Sequence, residues 1–364
     1  MGTFTVLDGA LGEVRASFAE KPGGRLRAMG KRAYDHAILP ETSAGRPLSS
    51  HPRARGRAVS KSHRRGMKKV EAVELAALLK RFKVEYGDAA ARLAEQLTKR
   101  YPEITRQGRR TNRTALDNIC FIVWCGVRDD DRELIPTLFR AAVLLSAQDD
   151  YYDNSQISAA QKDSFCAAIN HALRTNSFQP AFERTLQLAE LTSLWADIAG
   201  TIPRSTPEVG SYWIEKACQL NDAMAAENRA VKRATITYDG YMSAAIHSIG
   251  MVFTWATYLA HKHVPVTMLR EMDPVLLQGA RILRWSNDVA SCRQRKNEVN
   301  AVTLVGGSSP GFRILRLMVQ ESRAFHQRVE ALDLGPDVRG VLLRSLDFLR
   351  EFNRRFDVHR TLQL

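Results

Sequence analysis

Asp149-Asp150-Tyr151-Tyr152-Asp153 closes a long apolar stretch of the chain, and Asn287-Asp288-Val289-Ala290-Ser291 follows much further along. On a helix, Asp149 and Asp153 share a face, with Asp150 alongside. Carboxylates gathered at a helix C-terminus oppose the helix dipole and cost stability unless a cation compensates them. Oxygen-only ligands that leave room for water and phosphate suit Mg²⁺. Taken alone, the cluster reads equally as a solvated acidic helix end, although an aromatic pair such as Tyr151-Tyr152 is unusual in one. Asn287 and Ser291 also fall on one helix face. An amide oxygen and a hydroxyl are weak ligands that make sense beside a phosphate; alone they read more readily as an interhelical hydrogen-bond couple. Together, the two segments read as the walls of a magnesium–diphosphate site.

Helices must position those walls. From Met67 onward apolar residues recur at three- and four-residue spacing, and alternating β-branched runs are scarce. The aspartate-bearing helix is expected from about Arg132 through Leu138, Ala141, Ala142 and Leu145. Start signals include Asp88, a Ser158/Gln161 capping box, Thr206-Pro207-Glu208, Asp273-Pro274 and Ser309-Pro310. Gly200, Gly306-Gly307-Ser308-Ser309 and Gly335-Pro336 read as stops. There is no internal repeat and no composition shift within residues 67–364. The expectation is an all-α fold, one helical domain over residues 67–364.

Composition narrows the remaining classes. A chain of 364 residues with 45% hydrophobic content can bury a substantial core. Its longest apolar stretches, Phe121 to Val127 and Ala141 to Leu145, fall far short of the roughly 20 residues of a membrane span. Cys120, Cys125, Cys166, Cys218 and Cys292 are scattered without zinc-site or disulfide-framework spacing, and read as reduced thiols in a cytoplasmic protein. The net charge of +14 is concentrated in residues 1–66, where thirteen Lys or Arg face five Asp or Glu. This basic extension is expected to be disordered. It reads as a tail with no specific job, as an organelle transit peptide, or as an over-extended reading frame with Met67 as the true start; its acids and lack of a clear amphipathic helix argue against the transit peptide. A nucleic-acid-binding module rests on this extension alone. No Walker loop, dinucleotide fingerprint, HExxH or serine-hydrolase elbow is present, and His261 and His263 read as loop residues.

The two polar segments resemble the DDxxD and NDxxSxxxE motifs of bacterial-type class I terpene synthases, over roughly residues 68–360. The resemblance implies an all-α barrel-like single-domain bundle with a central active-site cavity, in which three Mg²⁺ ions and the substrate diphosphate are held between facing helices. It assigns Asp149, Asp150 and Asp153 as metal ligands on one wall, and Asn287 and Ser291 on the other. The glutamate of the second motif is replaced by Arg295, which puts the third metal in doubt; Glu298 would substitute only with a distorted helix end. Asn300-Ala301-Val302 resembles the stretch that follows the motif. Arg355-Phe356 takes the place of an Arg-Tyr pair whose arginine binds diphosphate. The run Tyr238 to Gly250 is similar to a broken helix that lines the pocket and triggers ionisation, without a clear counterpart of the arginine many sesquiterpene cyclases carry there. That run and Cys292 look most like the short bacterial diterpene synthases of the ent-kaurene synthase group.

The implied chemistry is ionisation of an allylic diphosphate, copalyl-type or geranylgeranyl, followed by carbocation cyclisation. Arg293, Arg295, Lys296, Arg354 and Arg355 are candidates for the departing diphosphate. Phe121, Trp124, Tyr151, Tyr152, Tyr241 and Trp285 are candidates for the aromatic cavity wall, each equally a core aromatic at helical spacing. A class II diterpene cyclase in the same pathway is the expected partner, with a monomer or homodimer as the assembly. Farnesyl diphosphate is the alternative substrate. A prenyltransferase, or a catalytically silent relative, is the alternative on the same fold; an Asn/Ser wall favours a cyclase over head-to-tail, squalene- or phytoene-type enzymes.

Overall fold

Helix boundaries follow the local chemistry of the chain. The computed structural model describes residues 75–106, 109–127, 131–178, 185–203, 206–231, 236–294, 299–306 and 309–355. The basic extension 1–66 and Met67 lie outside the described residues. A helix through residues 75–85 (α1) leads to Gly87–Arg100 (α2), Pro102–Thr105 (α3) and Arg113–Val127 (α4), and a 3₁₀ turn at Arg132–Leu134 opens Ile135–Asp153 (α5). Ala159–Thr175 (α6), Leu186–Thr201 (α7), Pro207–Val231 (α8), Tyr238–Ser248 (α9), Met251–His261 (α10) and Val266–Gln294 (α11) follow. Ala301–Val305 (α12), Pro310–Ala331 (α13) and Pro336–Arg355 (α14) complete the chain. No strand occurs among the described residues, so the fold is all-α.

Proline opens α5, α8, α13 and α14 within their first turn, where its missing N–H is no loss. Ser158 and Gln161 form the expected reciprocal capping box of α6. Three expected starts are corrected. Asp88 does not cap; it sits in the first turn of α2, whose N-cap is Tyr86, and its charge complements the helix dipole there. Arg132 belongs to the 3₁₀ turn, and the α-helix begins at Ile135. Asp273-Pro274 lies inside α11, not at a helix start. Its carboxylate accepts from Tyr212 Oη at 2.7 Å and Lys216 Nζ at 2.9 Å, so it serves α8, while Pro274 leaves one rung of the α11 ladder open. His261 is likewise the last residue of α10 rather than a loop residue; His263 lies beyond the helix with φ 52°.

Six helices close a ring: α4 packs on α5, α5 on α8, α8 on α10, α10 on α11, α11 on α14, and α14 back on α4. The outer layer covers it, with α2 on α4, α7 on α5, α6 on α8 and α13 on α11. Helix α5 is buried on every side, by Leu138, Phe139, Val143, Leu144 and Tyr151 among others, as expected of a segment apolar all round. Its buried Gln148 donates to Asn221 on α8 at 2.8 Å, and Asn221 donates to Asn170 on α6 at 3.1 Å, which fixes rotation of α5 about its axis. No described helix is long and apolar enough to cross a membrane.

The break between α9 and α10 is built by Gly250. Its φ of 75° is left-handed, and a side chain there would collide with Leu145 of α5. The broken helix expected over Tyr238 to Gly250 is therefore present, and its kink presses against the aspartate-bearing helix.

Candidate active site

A cavity of about 580 Å³ lies inside the ring. Helix α5 brings Asp149 and Asp153 to its rim, half-exposed, and α11 brings Asn287 and Ser291 to the same cavity. Asp150 faces aside. It pairs with Arg109 at 3.3 Å, and Arg109 also donates to Gln187 Oε1 at 3.2 Å. The C-terminus of α5 is capped from outside, since Lys162 Nζ and Asn228 Nδ2 both donate to the Tyr152 carbonyl, at 2.5 Å and 2.6 Å. Lys162 is buried, so a positive charge sits at the negative end of the dipole beneath three aspartates.

On α11, Asp288 is buried between its neighbours. Tyr241 donates its hydroxyl to both carboxylate oxygens at 3.1 Å, and the Ala301 N–H donates at 2.9 Å, which ties the start of α12 to α11. Burial pushes the Asp288 carboxyl above the usual aspartate range, and Arg284 beside it pulls the other way. Asn300 caps α12 through Oδ1, accepting from Thr303 N–H at 3.0 Å. Its Nδ2 has no partner among the described residues, and Asn300 lines the cavity.

Arg284 and Glu227 also line the cavity and were not singled out in the sequence. Their ion pair spans 2.6 Å, and Glu227 accepts from the Ser248 hydroxyl at the helix break. Arg284 donates in turn to Tyr241 Oη. Burial works against the Arg284 charge, but Asp288 and Glu227 hold its pKa above the ordinary arginine value. A chain of contacts thus runs from the α9–α10 break through α8 to the second motif.

The rest of the wall is apolar, with Ile119 and Val123 of α4, Leu138 and Leu145 of α5, Met224 of α8, and Val341 and Leu349 of α14. Of the six aromatic candidates, only Tyr152 lines the cavity. Phe121 and Trp124 turn outward to Phe82, with ring centroids 5.3 Å and 5.6 Å away. Tyr151 packs on Phe165 at 4.9 Å, Tyr241 is held by Asp288, and Trp285 donates to Tyr238 Oη at 2.9 Å. The aromatic lining comes instead from Trp255 and Tyr258 of α10. Each is tethered at its polar edge, Trp255 to Ser345 Oγ at 2.9 Å and Tyr258 to the buried Asp131 at 2.7 Å. Helix α10 is apolar all round, so its sequence pattern carries no sign of which ring faces inward.

Arg295, Lys296, Glu298 and Phe356 lie outside the described residues, as do the side chains of Arg293, Arg354 and Arg355, although the last two belong to the end of α14. Among the described residues no three His, Cys, Asp or Glu side chains form a ready-made chelating group. Asp149 and Asp153 instead converge on the guanidinium of Arg110, which donates to both, to Asp153 at 2.5 Å, while Asp150 stands 3.9 Å from its Nε. Carboxylates that already share one cation, with an amide and a hydroxyl lining the same cavity, form an oxygen-only donor set that fits a hard divalent ion.

The architecture is that of solved terpene synthases. A structure of hedycaryol synthase in complex with nerolidol superposes with a TM-score of 0.53 at 17% identity, covering 74% of this chain and 94% of that one. Aristolochene synthase from Penicillium roqueforti gives 0.52 at 14% identity, covering 73% and 93%. Within the chain, residues 140–306 match the family model described as terpene synthase family 2, C-terminal metal binding, a span that runs from α5 through α12 and includes both polar motifs. Among curated proteins none matches the chain. The likeness to these structures shows the fold, and the family match places both polar motifs within a region similar to a terpene synthase metal-binding segment.

Proposed function

We propose that this protein ionises an allylic diterpenyl diphosphate, copalyl-type or geranylgeranyl, and cyclises the resulting carbocation. The observation that carries this reading is a single cavity whose rim holds Asp149, Asp153, Asn287 and Ser291 and whose depth is apolar. In this reading Asp149, Asp153, Asn287 and Ser291 would hold Mg²⁺, with Asp150 assigned by resemblance alone, and the ion would supply Lewis-acid stabilisation of the departing diphosphate. Asn300, whose amide nitrogen has no partner among the described residues, lines the same cavity, and Arg355 is assigned to the diphosphate by resemblance alone. The apolar walls exclude water from the cation. The faces of Trp255 and Tyr258, fixed by their tethers, attract it by about 0.5–2 kcal/mol each. Arg284 neutralises Glu227 beside the helix break, so that the carboxylate does not trap the cation prematurely.

The diterpenyl assignment draws on the Tyr238 to Gly250 run and Cys292. A copalyl-type substrate requires a class II cyclase upstream. Farnesyl diphosphate is the second reading, favoured by the likeness to two sesquiterpene synthases. Purified protein incubated with Mg²⁺ and farnesyl, geranylgeranyl or copalyl diphosphate, with products read by gas chromatography and mass detection, separates them. A cyclic hydrocarbon from a diterpenyl diphosphate is expected. A cyclic product from farnesyl diphosphate alone moves the substrate to the smaller class, and no product from any of the three contradicts the function.

A further inference from the structure

The aspartate motif already has a counter-ion, and it is a side chain of the same protein. Arg110 reaches Asp149 and Asp153 through its two Nη atoms and stands 3.9 Å from Asp150 through Nε, while lining the cavity. The turn that carries it into α4 is anchored: buried Thr111 donates to the Ile104 carbonyl, and Asn112 N–H donates to the Arg109 carbonyl at 3.2 Å. Arg110 itself is only 22% exposed, so its position against the carboxylates is set by the fold rather than by chance approach of a surface side chain.

We propose that Arg110 is a diphosphate-binding residue that, before substrate arrives, occupies the aspartates in place of metal, so that Mg²⁺ and diphosphate bind together and neither binds well alone. This deepens the proposed function and rests on it. One guanidinium hydrogen-bonded to both Asp149 and Asp153 satisfies lone pairs that a metal needs, so the ion must displace it. A displaced guanidinium in a partly buried wall is costly without an anion, and its forked N–H donors match phosphate oxygens. Diphosphate supplies that anion. Metal and diphosphate are then coupled through Arg110, and the coupling is reciprocal.

The test is isothermal titration of the full-length protein with MgCl₂, alone and with inorganic diphosphate. For the native protein, diphosphate is expected to tighten Mg²⁺ binding by on the order of tenfold or more, within the usual span of coupled sites. Arg110→Gln is expected to bind Mg²⁺ alone more tightly than the native protein, bind diphosphate more weakly, and lose most of the coupling. Arg110→Lys, which keeps the charge without the fork, is expected to retain a part of it, and circular dichroism checks that both variants fold. Unchanged or weaker Mg²⁺ binding by Arg110→Gln, with the coupling intact, overturns the proposal. If the native protein couples, Asp149→Ala abolishes the coupling and Arg110→Gln does not, Arg110 alone is misassigned; if the native protein binds no Mg²⁺ even with diphosphate, the reading of the whole site fails with it.

Discussion

Arg284 Nε stands 2.9 Å from Asp288 Oδ1, one helical turn apart on α11, and the aspartate is almost wholly buried. The N–H is not aligned with the oxygen and makes no hydrogen bond, so this contact is electrostatic. The other end of the guanidinium holds Glu227 at 2.6 Å. One cation therefore neutralises two carboxylates in the cavity wall.

Removing it strands both. Arg284→Met is expected to lower the free energy of unfolding by about 3–5 kcal/mol, as for other broken buried pairs. Burial already raises the Asp288 carboxyl, and losing Arg284 raises it further. A group with a raised folded pKa contributes stability below its unfolded value, near 3.8, that is lost as pH rises through the folded value. The deficit of Arg284→Met should therefore be larger at pH 7 than at pH 4 in urea melts. Adding Asp288→Asn should recover part of it at pH 7.

Gly250 is required by both conformation and space. Gly250→Ala places a methyl group in a left-handed backbone and against Leu145. Destabilisation of about 1–3 kcal/mol is expected, with a loss of turnover from the displaced break. Adding Leu145→Ala relieves the collision but not the backbone term, so thermal melts of the double variant should show only partial recovery.

Thiol chemistry should single out one cysteine. Burial first, and Asp117 next, push the Cys120 thiol up to about 12; burial and Asp222 do the same for Cys166. At pH 8 such a group is thiolate in roughly one molecule in ten thousand. Cys125 and Cys218 are buried as well, whereas Cys292 is partly exposed. A thiol-reactive reagent is expected to label Cys292 alone in the native protein and all five cysteines after denaturation, as mass spectrometry of the digested protein would show.

The helical class and the two polar motifs were legible because each is written locally. The Ser158 capping box, the first-turn prolines and the four-residue spacings all depend on neighbours in sequence. The counter-ions were not legible. Arg110 sits in a basic stretch with Arg106, Arg109 and Arg113 that reads as a solvated surface, and its contact with Asp149 spans 39 positions. Glu227 and Arg284 meet only because α8 and α11 pack in the same wall. The aromatic lining failed for another reason: in helices apolar on every face, pattern gives burial but not direction, so Phe121 and Trp124 could not be told from Trp255 and Tyr258. Asp273-Pro274 misled because a cap signal and a buried ion-pair acceptor look alike until the partner, Lys216, is in place.

The most direct test of the central claim is diphosphate release measured beside hydrocarbon formation, for the native protein and Asp149→Ala. Native protein with Mg²⁺ and its allylic diphosphate should release diphosphate and hydrocarbon in equal amounts. Asp149→Ala should lower both by on the order of a hundredfold or more while circular dichroism shows an intact helical fold. Release by Asp149→Ala within a few-fold of native would contradict the assignment of α5 as the metal-binding wall, and with it the reading of this cavity as the site of ionisation.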